Sequence, residues 1–249
     1  MEQQLIHKVD RIIAATEDER AQIICYNGAV ADQIEVVPCG VDLNLFVPHE
    51  QQHVREQLGL YTPMPILLYA GRLDPFKGPD ILLRAAAMMK RPVQIVIAGG
   101  NLAGDPDLQN LQRLAAALQI EQRVRFIGSR PRTEMPLIYS AADVTVVPSY
   151  HESFGLAAVE ALACGTPVVA TRAGGLMTVV QDGETGYLVP HDARSFAERL
   201  DTLLADPSRR IQMSAAARPS VLRFGWEHVA SQVRDIYYDL IHEERSLIA

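Results

Sequence analysis

An α/β fold built on a doubly wound parallel sheet is predicted by two features of this sequence. From residue 66 onward, short apolar runs rich in β-branched residues recur at intervals, and each is separated from the next by a segment of helical spacing or helix-forming composition. Strand, helix, strand in repetition requires a crossover after every strand, which makes the sheet parallel and covers both of its faces.

Taken in order, DRIIAAT and IEVVPCGVD read as two strands around a helical TEDERAQIICYNG, and LNLFVPHE follows as a polar, proline-ended connector. Two strands and a helix are too little to bury a core alone. The main strands are expected at 66–72, 93–99, 124–128, 143–149, 167–171 and 186–189, with helices at 80–89, 108–120, 135–142 and 156–163 and around 174–182. The tail WEHVASQVRDIYYDLIHEE carries Val229, Val233, Ile236, Tyr237, Leu240 and Ile241 at helical spacing, a stripe that needs a surface to cover.

The 249 residues are 48% hydrophobic and 21% charged, an ordinary globular balance that predicts a sizeable core. A net charge of −7 argues against a broad nucleic-acid footprint, which needs clustered Lys and Arg. Cys25, Cys39 and Cys164 are odd in number and have no metal or redox spacing, so they read as reduced thiols of a cytoplasmic protein. The amino terminus lacks an apolar targeting region, and no apolar run approaches the length of a membrane span.

Ligands of a doubly wound sheet bind outside the carboxyl ends of the strands. The first loop there is GRLDPFKG, which places Arg72 and Lys77 beside the start of a helix, where free N–H groups and the dipole attract a phosphate or diphosphate. The plainer alternative is two solvated surface charges. The segment lacks the second glycine and the Ser or Thr of a P-loop. The second loop is SYHESFG, leading into LAAVEALACG. It puts Glu152 in the loop and Glu160 about two turns into the helix, as the sole charge between Leu156 and Val169. A carboxylate buried without partners costs several kcal/mol or is neutralised, so a donor must face Glu160. That donor is either a core arginine or a ligand. Ser153 suits a helix N-cap, while the amides of Phe154, Gly155 and Leu156 are free donors. Together they suit a ligand rich in hydroxyls and phosphate. Asp105 and Asp107 form a D-x-D, but Pro106 favours a helix cap over a metal site. AGGN at 98–101 lacks the dinucleotide-binding spacing.

GRLDPFKG, ADVTVVPSYHESFGLAAVEALACGTPVVAT, AGG and DGETGYLVP together resemble the carboxyl-terminal domain of group 1 retaining glycosyltransferases of GT-B fold, whose E-x7-E pair matches Glu152 and Glu160. The wording ESFGL is most similar to the subgroup of sucrose-phosphate synthases and the glycosyltransferase of mycothiol synthesis. The resemblance implies a Rossmann-like sheet and a nucleotide-sugar donor, UDP-linked by the subgroup likeness, with an unknown acceptor. Arg72 and Lys77 would hold the diphosphate and neutralise the leaving group. Glu152, helped by the Phe154, Gly155 and Leu156 backbone, would bind the transferred sugar, with Ser153 also in the donor site, Glu160 would hold the ribose hydroxyls, and Arg130 would lie near the base. No cofactor or metal is expected.

The resemblance also implies a longer enzyme with an amino-terminal acceptor domain. Residues 1–48 are expected to be the remnant of that domain and its linker, 49–222 the donor-binding domain, and 223–249 a helix crossing back to the other domain. On this expectation the chain is truncated, split or begun internally. It binds a nucleotide sugar but turns it over poorly alone, with its exposed cleft face available for self-association. A non-catalytic nucleotide-sugar-binding module and a GT-B epimerase are the competing readings.

Overall fold

The computed structural model describes residues 5–248 except 7 and 61. The first four residues of the expected 1–48 segment and the last of 223–249 lie outside this range. Strand β1 (Ile12–Ala14), helix α1 (Glu17–Gln22) and strand β2 (Ile34–Val36) form a two-stranded parallel sheet, with Ile12 opposite Ile34. Its core is small, built around Ala14, Ala29 and Ile34. Helix α1 is capped by Thr16, whose hydroxyl accepts from the Glu19 amide at 3.1 Å. At Ile23 it passes into a π-helical turn that ends at Gly28.

The connector, polar and proline-ended in sequence, is docked on the main unit. Phe46 is fully buried, and Arg218 donates to the carbonyls of Leu43 (2.8 Å), Phe46 (2.5 Å) and Ala163 (2.8 Å). Helix α2 (Gln51–Gln57), capped by Glu50, follows it. It escaped the sequence reading, and it is tied to the main sheet by Arg55, whose guanidinium lies 2.7 Å from the Asp143 carboxylate.

The main unit then runs β3 (Ile66–Ala70), α3 (Pro79–Met88), β4 (Gln94–Ala98), α4 (Pro106–Ala117), β5 (Val124–Phe126), α5 (Met135–Ala141), β6 (Val144–Val147), α6 (Leu156–Ala163), β7 (Val168–Thr171), α7 (Leu176–Val179) and β8 (Gly186–Val189). Every strand expected from residue 66 onward is present. Most stop short of the predicted carboxyl end, where the chain leaves the ladder for the loops. All neighbours pair in parallel, in the order β5-β4-β3-β6-β7-β8.

Alternation along β3 explains the two-layer core. Ile66 and Leu68 join a cluster with Phe46, Tyr139 and Leu162, while Leu67 and Tyr69 join one with Leu82, Ile97 and Phe196 on the other face. Helices α8 (Ala193–Ala205) and α9 (Pro207–Val221), also unforeseen, pack against α3 and α6 respectively. A short 3-10 turn, Leu222–Phe224, leads to α10 (Trp226–Ile248). The predicted stripe on α10 is covered unevenly, with Val233, Ile236 and Leu240 half-buried. Val229 is buried, whereas Tyr237, Tyr238 and Ile241 are exposed. Among the described residues no helix is long and apolar enough to cross a membrane.

Candidate functional site

Chain order reverses in the sheet between β3 and β6, and the carboxyl ends of those strands border the crevice where doubly wound sheets take ligands. The two loops singled out in the sequence leave from these ends and lie against each other. After β3, the Tyr69 hydroxyl donates to the Arg72 carbonyl, and Asp74 caps a one-turn 3-10 helix, Pro75–Lys77. Gly78 closes that turn with a left-handed backbone (φ 65°), and a Cβ there would lie 2.2 Å from the Pro148 carbonyl oxygen of the neighbouring loop. Only glycine permits this approach.

The contact brings Lys77 Nζ to 2.7 Å from Glu152 Oε2, with both side chains largely withdrawn from solvent. The Ser149 hydroxyl donates to the same carboxylate oxygen at 3.2 Å, and the Glu152 carbonyl accepts from the Gly175 amide at 2.8 Å. Arg72 is different. Its side chain is 77% exposed and, among the described residues, pairs with Asp74 at 3.3 Å, so it is a cation available to a ligand.

Helix α6 begins two residues later than an N-cap at Ser153 requires. Gly155, left-handed at φ 102°, occupies the cap position, and no side chain caps the helix. The Ser153 hydroxyl is therefore not the N-cap, and α6, whose Ala157 lines the cleft, starts without a side-chain acceptor for its first-turn amides. The later start also makes Glu160 the fifth helical residue, just past one turn rather than two. Phe154 anchors the loop from below, packed edge-on against Phe224 at 5.3 Å.

Glu160 has a donor within the fold, a tyrosine that the sequence did not foresee. The Tyr139 hydroxyl donates to Glu160 Oε2 at 3.0 Å, while the nearest guanidinium, Arg132, lies 3.9 Å from Oε1 and is half exposed. Burial holds the Glu160 carboxyl above the usual carboxylate range, against the opposing pull of Tyr139 and Arg132. Burial, reinforced by the Glu160 charge, pushes the Cys164 thiol up to about 12.

A cleft of about 620 Å³ joins Arg72, Gly99, Gly100, Ser129, Arg130 and Glu160. Arg130 thus lines the cleft, although its guanidinium is engaged by the Ile127 carbonyl (2.9 Å) and by Glu134 (3.5 Å). Asp105 accepts from the amides of Asn101, Asp107 and Leu108, which matches the helix-cap reading. Among the described residues no three His, Cys, Asp or Glu side chains come together as a metal-ligand set.

Sequence reasoning missed Tyr139, Arg132 and Ser149. Tyr139 reads as one more apolar position of α5, and nothing in a linear pattern aims its hydroxyl at a carboxylate 21 residues away.

The family model described as glycosyl transferases group 1 matches residues 50–219. The D-inositol 3-phosphate glycosyltransferase of Corynebacterium aurimucosum is 41% identical across 98% of this chain and 60% of its own length. The chain spans about three-fifths of the length of the first such relatives it matches. Among solved structures, sucrose-phosphate synthase from Thermosynechococcus elongatus superposes with a TM-score of 0.89 at 35% identity, over 97% of this chain and 61% of that one. Anabaena HepE in complex with UDP superposes with a TM-score of 0.87 at 27% identity, over 96% and 68%. With its reversal point between β3 and β6, its cationic loop and its paired glutamates, the chain belongs to the group 1 glycosyltransferases.

Proposed function

We propose that the chain binds the diphosphate of a nucleotide sugar in the crevice between β3 and β6, and that it supplies the donor half of a retaining glycosyl transfer with UDP as the nucleotide. The observation that carries this reading is the Lys77–Glu152 pair, 2.7 Å apart at the point where the strand order reverses, beside the uncapped start of α6.

Arg72 and Lys77 take the diphosphate and stabilise the charge that develops on it as the glycosidic bond breaks. Glu152 accepts from hydroxyls of the transferred sugar, and the Phe154, Gly155 and Leu156 amides donate to the same ligand. Glu160 accepts from the ribose hydroxyls, and Arg130 borders the base. The two cations fill the role that a metal would otherwise serve, so none is assigned. UDP as donor is supported by Anabaena HepE, solved with UDP and with UDP-glucose. A phosphorylated inositol as acceptor is supported by the names of the curated relatives.

In this reading residues 49–222 are the donor domain, 1–48 belong to an amino-terminal domain and linker, and 223–249 cross back to that domain or pair with a second copy. The protein works in the cytoplasm. A binding-only role is the second reading, since the groups gathered at the crevice are those that would hold a donor.

Calorimetric titration with UDP, GDP and ADP in the presence of EDTA tests the site. Selective UDP binding, weakened in both Lys77→Ala and Glu160→Ala, is the expected result, and a folded chain that binds none of the three refutes it. A transfer assay with UDP-glucose and inositol phosphate then separates the two roles: turnover supports the enzyme, and binding without turnover supports the module.

A further inference from the structure

We infer that Tyr139 is a positioning residue for nucleotide binding: its buried hydroxyl fixes one oxygen of Glu160 and so aims the carboxylate at the cis-diol of a ribose. The inference rests on the reading of Glu160 as the ribose acceptor and adds the residue that makes it selective.

The terminal torsion of a glutamate is broad, so an unheld carboxylate presents many orientations to a ligand. Here that freedom is removed from below. Tyr139 is 1% exposed, and its ring packs on Phe46 at a centroid distance of 6.2 Å. Its own carbonyl accepts from the Thr166 hydroxyl at 2.8 Å. With ring and backbone both held, the hydroxyl has one place to point, Glu160 Oε2 at 3.0 Å. Burial raises the phenol's pKa well above its ordinary value, so it remains a donor across the physiological range.

Each carboxylate oxygen can accept about two hydrogen bonds. One site on Oε2 is taken by Tyr139, which leaves Oε1 and the second Oε2 site for a pair of adjacent hydroxyls. Arg132, its guanidinium 5.4 Å over the same Phe46 ring, stands on the other side, 3.9 Å from Oε1. Phe46, from the docked connector, is thus the common floor of both groups that face the carboxylate.

The arrangement has a proton consequence. The titratable and charged groups around Glu160 are Tyr139 on α5, Arg132 in the loop before it, Cys164 at the end of its own helix, and Arg72, Asp74, Asp105, Asp107 and Arg130 around the cleft. Tyr139 favours the charged carboxylate against burial. Diol hydroxyls also favour it, so nucleotide binding draws a proton off Glu160, and affinity falls as pH drops through the raised pKa.

The test uses the full chain with UDP and 2′,3′-dideoxy-UDP as probes, in wild type, Tyr139→Phe, Glu160→Ala and the double variant. The Phe variant retains the ring on Phe46, and a melting curve verifies its fold. Loss of one hydrogen bond to a charged group predicts a roughly tenfold weaker affinity of Tyr139→Phe for UDP at neutral pH. The inflection of affinity against pH should move upward. The dideoxy ligand should be indifferent to the change, and the Phe substitution should have no further effect on the Glu160→Ala background.

Equal loss for both ligands, or an unmoved inflection, would mean a structural role and overturns the inference. If Glu160→Ala loses UDP affinity while Tyr139→Phe does not, the inference fails and the reading of Glu160 stands. If neither variant loses affinity, both fall.

Discussion

Gly175→Ala isolates how tightly the loop at residues 152–155 is held. Gly175 has a helical backbone (φ −62°), so alanine brings no conformational strain. A methyl there, however, would lie 2.4 Å from both Phe154 Cα and the Ser153 carbonyl oxygen and 2.6 Å from the Phe154 carbonyl oxygen. To restore ordinary contact the 152–155 segment must withdraw by about 1 Å, an overpacking that costs roughly 1–3 kcal/mol of stability. That segment carries Glu152, whose carbonyl accepts from the Gly175 amide itself, and leads into the start of α6. A misplacement of about 1 Å in a binding constellation can cost on the order of 100-fold, so titration with UDP should show affinity lowered by about that factor while the chain still melts cooperatively. Gly59→Ala is the control. Gly59 is left-handed (φ 59°) with nothing near the added methyl and does not line the cleft, so it should lower the melting temperature and leave affinity alone. Wild-type affinity in a folded Gly175→Ala would refute the claim that this close packing positions the site.

Lys77→Met leaves Glu152, at 16% side-chain exposure, with the Ser149 hydroxyl as its remaining side-chain donor. UDP affinity should fall about 100-fold, as expected for removal of a charged contact worth roughly 3 kcal/mol, and unchanged affinity by calorimetry would remove Lys77 from the site. Glu160→Gln should separate stability from binding. The folded-state pKa of Glu160 lies above its unfolded value, so its stabilising contribution is present below the unfolded pKa and lost as pH rises through the folded one. At neutral pH the Gln variant should therefore melt higher than wild type, with the difference vanishing towards acid pH, while binding UDP more weakly. Arg218→Ala leaves the Leu43, Phe46 and Ala163 carbonyls without their shared donor. It should cost about 2–3 kcal/mol, read as a fall of roughly 5 °C or more in melting temperature.

Much of this was legible in the chain. The parallel sheet follows from apolar runs that cannot face water on either side, and Gly71 to Gly78 and His151 to Glu160 lie in the loops and helix beyond β3 and β6 where the run lengths place them. The lone charge of Glu160 on an apolar helix correctly demanded a partner. The start of α6 was misplaced because Ser153 is a good capping residue, whereas Gly155 takes the cap by adopting a left-handed backbone that a serine disfavours. Helices α8 and α9 and the docking of the connector were overlooked because their anchors lie far away in sequence. Arg218 binds a carbonyl 175 positions earlier, at Leu43.

The sequence by itself determined the layered α/β architecture, the family and the residue types that gather at the crevice, because period, apolar run length and loop chemistry are local properties. Only the tertiary structure decided which groups meet. The 2.7 Å approach of Lys77 to Glu152 depends on two loops from adjacent strands closing over Gly78. The hold on Glu160 depends on a tyrosine and an arginine both seated on a phenylalanine from the connector. Contacts of that kind are set by the direction of a buried side chain, which packing alone fixes.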